Sequence, residues 1–213
     1  MTTPAAYRES TEYALAALDM AHVALYIDAG HAGWLGWDGN LPLTAELYAE
    51  LYRNAGSPKS TRGLVTNVSN YNGYSLVTAP NYTVPNAQFD ESRFHAAIAP
   101  FLEEEGFPAH FIVDQGRSGQ QPGGRQEWGH WCNTRNSGFG PRPEITLDDD
   151  LLDAIVWVKP GGESDGTSDE TADRFDEMCH SPSSVQPAPE AGGWFQAYFE
   201  MLIRNANPPF GSD

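Results

Sequence analysis

The chain has 213 residues, of which 40% are hydrophobic and 12% aromatic, enough apolar material to bury a core and to exclude disorder throughout. With 12 basic against 29 acidic residues the formal net charge is -17, which repels the phosphates of nucleic acid and of anionic lipid. Neither nucleic acid nor a membrane is therefore expected as a partner, whereas a neutral polysaccharide, held by stacking and hydrogen bonds, is permitted.

Helical spacing over Ala5 to Leu18 leads into an apolar run, His22 to Ile27, that predicts a strand. A helix over Leu43 to Asn54 and a strand over Arg62 to Val68 follow, then a helix over Asp90 to Glu105 and a strand over His110 to Val113. The series ends with a strand over Ala154 to Val158 and a helix over Gly192 to Asn205. Each strand is nearly continuous in hydrophobicity, as in a parallel sheet buried on both faces, and the alternation predicts an α/β fold of βα units. Segment 117–150 is rich in Gly, Pro, Asn and Arg, and segment 160–189 in Gly, Ser, Asp and Pro. Loops of that length in a compact domain are usually functional. Residues 1–207 read as one unit and 208–213 as a frayed tail.

Polar residues gather just past the C-terminal end of each predicted strand: Asp28 and His31, then Asn67, Asn70 and Asn72, then Asp114 and Gln115, then Lys159, Glu163 and Asp165. That edge is where α/β barrels and open parallel sheets bind ligands, so the four groups predict one pocket. Turn chemistry alone also favours Asp and Asn at such places. Aromatic residues fall outside helical or strand periodicity at Trp34, Trp37, Tyr71, Tyr74, Trp128 and Trp131. An indole face matches the apolar face of a pyranose ring, although loop tryptophans also plug loops onto a core.

Asp165 and Asp28 are candidates for acid or base work in glycoside hydrolysis, and the acidic run Asp148 to Asp150 is expected to face water and to begin the turn of helix or strand leading to Leu151 and Leu152. No serine-hydrolase elbow, zinc-protease pair, phosphate loop or dinucleotide fingerprint is present. No run reaches the roughly 18 to 20 apolar residues that cross a bilayer, and MTTPAAY has no export-signal pattern. The expectation is either a cytosolic protein or one whose natural N-terminus lies upstream. Cys132 and Cys179 fit no zinc or redox spacing and are either paired or two separate thiols.

The stretches YIDAGHAGWLGW, NVSNYNGY, DQGRSGQQP, WGHWCN, WVKPGGESDGTSD and QPAPEAGGWFQAYF, in this order, resemble glycoside hydrolase family 6, the cellobiohydrolase II and endoglucanase family. The resemblance implies part of a distorted parallel (β/α) barrel that hydrolyses β-1,4-glucosidic bonds with inversion and without a cofactor. It implies that Trp34, Trp37 and Trp131 stack on glucosyl units and that His31, Lys159 and Glu163 contact sugar near the cleavage point; Asn70, from the strand-end group, is a further substrate-binding candidate. Asp165 matches the candidate base, and Asp28 matches a carboxylate that supports the acid. Cys132 and Cys179 match a family disulfide, which implies an extracellular setting for the full-length protein.

The family also carries an upstream segment with an arginine and an aspartate beside a cysteine, and another reading roughly E-P-D-S, whose aspartate donates the proton; neither occurs here. The expectation is a C-terminal portion lacking the N-terminal strands and the proton donor, inactive alone unless a missing N-terminal half complements it. The alternative is a non-catalytic glucan-binding remnant. The two long loops suit a roofed, cellobiohydrolase-like site. Asn81 in NYT is a glycosylation sequon in an expected surface loop, and Asn67 in NVS is a sequon at an expected strand end.

Overall fold

The computed structural model describes residues 3–146 and 149–211; Asp148 of the acidic run and the last two residues of the tail lie outside them. Four strands run parallel, β1 (Leu25–Asp28), β2 (Thr61–Thr66), β3 (His110–Asp114) and β5 (Leu152–Val156), and a short β4 (Glu144–Ile145) pairs antiparallel with β5. The order across the sheet is β1-β2-β3-β5-β4. The helices are α1 (Thr3–Ala17), α2 (Ala32–Leu35), α3 (Leu41–Asn54), α4 (Glu91–Glu104) and α5 (Gln196–Arg204).

Local chemistry sets the boundaries. α3 starts with a proline in its first turn, where no N–H is lost. α4 starts at Asp90, whose Oδ1 accepts the N–H of Arg93 at 2.9 Å. Both helices are followed by a glycine in the left-handed region, Gly56 at φ 87° and Gly106 at φ 75°. Pro100 sits inside α4, where it removes one backbone donor without ending the helix. The predicted first strand is shorter than expected because a tight turn, with Val23 N–H on Met20 O, occupies its start. The last strand begins earlier, at Leu152, and ends before Trp157, whose indole donates to Pro141 O and stacks on Phe139. Asp149, expected to face water and to begin the turn into Leu151 and Leu152, accepts the N–H groups of both at 2.8 Å and so fixes the entry to β5.

The expectation of a sheet covered on both faces holds for one of them. Leu64, Phe111, Val113, Leu152 and Ile155 are buried beneath α3 and α4. The opposite face, with Tyr26, Ile112, Ala154 and Val156, lines an open groove of about 760 Å³. At its lower end Asp153 binds Tyr26 Oη at 2.6 Å and the Arg62 guanidinium at 2.8 and 2.9 Å. Among the described residues β1 pairs only with β2, so its outer edge is free. A second apolar cluster, with Tyr71, Phe139, Tyr198 and Leu202, holds α5 against the two long loops. In the tail expected to fray, Phe210 lies edge-on to Phe139 and under the guanidinium of Arg142 at 4.0 Å.

Candidate active site

The C-terminal ends of the parallel strands carry the predicted polar groups, and their hydrogen bonds separate supports from functional groups. Asn67, at φ 61°, is fully buried; its Nδ2 donates to Asn72 O and Asp114 O at 2.9 and 2.7 Å. Asp114 accepts from Gly116, Ser69 and Lys159 backbone N–H groups, which ties three loops to β3. Gln115 Oε1 accepts from Tyr74 N–H. These residues build the frame.

A groove of about 730 Å³ opens above that frame, lined by Tyr7, Asp28, Gly30, His31, Trp34, Leu35, Val68, Ser69, Asn70 and Trp131. Trp34 is 62% exposed and Trp131 37% exposed, so part of each indole is open to solvent in the groove. Trp37, also 37% exposed, sits a turn further along with its Nε1–H on Gly33 O, beside the groove rather than in its lining. Trp128, Tyr71 and Tyr74, grouped with these in the sequence, are placed differently. Trp128 packs on the main core and donates Nε1–H to Asn72 Oδ1 at 3.1 Å, and Tyr71 is buried in the second cluster. Tyr74 packs on the main core.

His31 is buried at the N-terminus of α2, where Nδ1 accepts the N–H of Gly33 at 3.0 Å. Burial, and then the charge of Arg125, push its pKa down to about 3, so the imidazole is neutral. With Nδ1 committed as an acceptor, the proton sits on Nε2. Asp28, the last residue of β1, accepts Gly30 N–H at 2.8 Å; burial raises its pKa against that bond. Asn70 takes Arg125 Nη1 on its Oδ1 at 3.2 Å.

Asp165 lies in the loop after β5, beside the groove rather than in its lining. Its Oδ2 accepts from Arg117 Nη1 at 2.7 Å, Tyr71 Oη at 2.9 Å and Asn133 N–H at 2.9 Å. Lys159 Nζ stands 3.5 Å from Oδ1 and 2.7 Å from Glu163 Oε1. Burial opposes ionisation of Asp165, but the Arg117 charge and hydrogen bond, Asn133 N–H and Lys159 outweigh it and hold the carboxyl below its usual range. Arg117 also donates to Ser69 O, which links the carboxylate to the groove wall. The Cys132–Cys179 disulfide supports this centre from behind. Cys132 precedes Asn133, and a Cβ on Gly166 would come within 2.6 Å of Cys179 Sγ. Among the described residues no cluster of three or more His, Cys, Asp or Glu side chains could hold a metal.

Arg117 and Asn133 were not singled out from the sequence, and Tyr71 reads there as a stacking aromatic rather than as a partner of Asp165. A lone arginine in a Gly-rich loop, DQGRSG, was the available signal for the first, since an arginine there has no apolar role.

A protein-family model described as glycosyl hydrolases family 6 matches residues 1–206. The chain belongs to that family. It is 61% identical over 204 residues to a 1,4-beta-D-glucan cellobiohydrolase CEL6A of Podospora anserina, covering 96% of this chain and 42% of that protein. It is 60% identical to Exoglucanase-6A of Humicola insolens, covering 96% of this chain and 43% of the relative. The structure of cellobiohydrolase II (Cel6A) from Humicola insolens in complex with glucose and cellotetraose superposes with a TM-score of 0.95 at 57% identity, covering 97% of this chain and 57% of that one. The chain thus spans less than half the length of the Podospora and Humicola relatives and 57% of the solved chain, and its open sheet corresponds to part of the family 6 fold.

Proposed function

We propose that this chain supplies the sugar-binding groove and the ionised aspartate of an inverting β-1,4-glucan hydrolase that acts on cellulose and cello-oligosaccharides in the manner of a cellobiohydrolase. The observation that carries the reading is Asp165, kept anionic by Arg117, Tyr71 and Asn133 while Oδ1 faces Lys159 beside a groove walled by exposed tryptophans. A carboxylate held this way accepts a proton, directly or through a water, and cannot donate one. Inversion needs a second carboxyl roughly 6.5 to 9.5 Å away as the acid. Asp28, raised by burial at the groove, supports that acid rather than replacing it. The donor comes from residues outside these 213, in the portion of the relatives that this chain does not span.

In this reading Trp34, Trp37 and Trp131 stack on glucosyl rings, and Asn70, Lys159, Glu163 and the Nε2–H of His31 meet sugar hydroxyls. The disulfide supports an extracellular setting for the full-length protein. The free β1 edge and the bare sheet face support complementation by an N-terminal half. Loss of general acid catalysis costs about 100-fold to 10,000-fold, so the chain alone binds glucan and cuts it poorly.

The test incubates cellohexaose with the chain alone and with the N-terminal portion of the Podospora relative, following product anomers by proton NMR. The expected result is α-configured cellobiose or cellotriose from the mixture only. An α-product from the chain alone would place the acid within these residues. If the mixture cuts nothing although Trp131→Ala weakens cellotetraose binding, the second reading, a glucan-binding remnant, replaces the first; it rests on the exposure of Trp34 and Trp131.

A further inference from the structure

Glu91 has no part in the mechanism above, yet it is fully buried at the first position of α4. A buried carboxyl is costly, and among the described residues it forms no ion pair that would offset the cost. Its Oε1 accepts two hydrogen bonds that both lead to the groove. One comes from the backbone N–H of Ala32, the residue after His31, at 3.1 Å. The other comes from Asn72 Nδ2 at 2.6 Å.

Asn72 is oriented from both ends. Arg125 Nη2 at 2.6 Å and Trp128 Nε1 at 3.1 Å donate to its Oδ1, which turns Nδ2 toward Glu91. The same Nδ2 lies 3.4 Å from His31 Nδ1. The ring nitrogen on the inner side of the imidazole is thus met by donors from Gly33 and Asn72, and its own proton has to be on the other nitrogen. We propose that Glu91 is a positioning residue for glucan binding: through Ala32 and Asn72 it holds His31, which lines the groove, as the Nε2–H tautomer. The binding half of this inference rests on the glucan reading above; the tautomer half stands without it.

The experiment uses the full chain and two readouts, the tautomer of His31 from long-range ¹H–¹⁵N correlations and the Kd for cellotetraose by calorimetry. Wild type and Glu91→Gln, which keeps an acceptor oxygen in place, are expected to show Nε2–H alone. Glu91→Met, similar in size but without an acceptor, is expected to give a tautomer mixture and about a 10-fold rise in Kd. Leu102→Ala, a core change away from these contacts, lowers stability and should leave the tautomer unchanged. A Glu91→Met variant with pure Nε2–H and wild-type affinity overturns the inference. If that variant does not fold, Glu91→Asp withdraws the carboxyl by one methylene and the same readouts decide. If wild type binds no cellotetraose, the glucan reading fails while the tautomer result still judges Glu91.

Discussion

Replacing Arg117 by leucine should expose how Asp165 is held. Arg117 is fully buried, bonds Asp165 Oδ2 at 2.7 Å and lies over the Tyr71 ring at 4.3 Å. In Arg117→Leu the carboxylate keeps Tyr71, Asn133 N–H and Lys159 but loses its closest cation. Removing one partner of a buried pair costs about 3 to 5 kcal/mol, because the other charge is left uncompensated. For a chain of this size that is a fall in Tm of roughly 6 to 20 °C. The assay is urea unfolding followed by tryptophan fluorescence, with the double variant Arg117→Leu/Asp165→Leu as comparison. The double variant, apolar at both positions, should recover most of the loss.

The pH dependence has a defined sign. In the wild type Asp165 is held below its ordinary value of 3.8, so its contribution is present above that value and disappears as pH falls through the depressed one. In Arg117→Leu burial is opposed only by Asn133 N–H, Tyr71 and Lys159, so the carboxyl is expected to move up from its wild-type position and the variant to gain less stability than the wild type as pH rises. The gap between the two proteins should therefore be widest near neutrality and narrow below about pH 4. A single variant within about 1 kcal/mol of wild type at pH 7, or a double variant no more stable than the single, would refute the reasoning.

Three further outcomes follow. Reducing Cys132–Cys179 opens a link across 47 residues, for which chain entropy gives about 4 kcal/mol, and the loss should appear as a lower urea midpoint only in the presence of reductant. His31 and His95 are both pushed down to about 3, chiefly by burial, so the unfolded chain binds protons that the folded one refuses; stability should fall with pH below about 6.5, by at most about 1.4 kcal/mol per pH unit for each. Histidine NMR shifts that titrate near 6.5 for either residue would contradict this. Phe111→Ala empties a fully buried site under α3 and α4 and should cost about 3 to 5 kcal/mol in the same unfolding assay.

The β-branched runs and the 3.6-residue spacing located the four parallel strands and the long helices, because burial under α3 and α4 selects those residues. Short elements were missed. α2 has four residues and owes its start to the His31 side chain, and β4 has two. The start of β5 was hidden by Asp153, which reads as a loop residue until Arg62 and Tyr26 are brought to it across the sheet. The C-terminal strand edge was legible as a site because its polar residues recur strand after strand. What distinguishes them was not, since Asn67 and Asn70 look alike in sequence although the first is consumed by the backbone and the second lines the groove. Trp128 and Trp131 show the same limit: three residues apart, one faces the core and the other the open groove.

The carboxylate centre has a property useful for recombination. Every group that bonds Asp165 here, namely Arg117, Tyr71, Asn133 and Lys159, comes from residues 71–165, and the disulfide behind it closes a little further on, at Cys179. A crossover placed ahead of α1 would therefore transplant this centre intact between family members. The stability of such chimeras should depend instead on how well the foreign half matches Tyr26, Ile112, Ala154 and Val156 on the open sheet face.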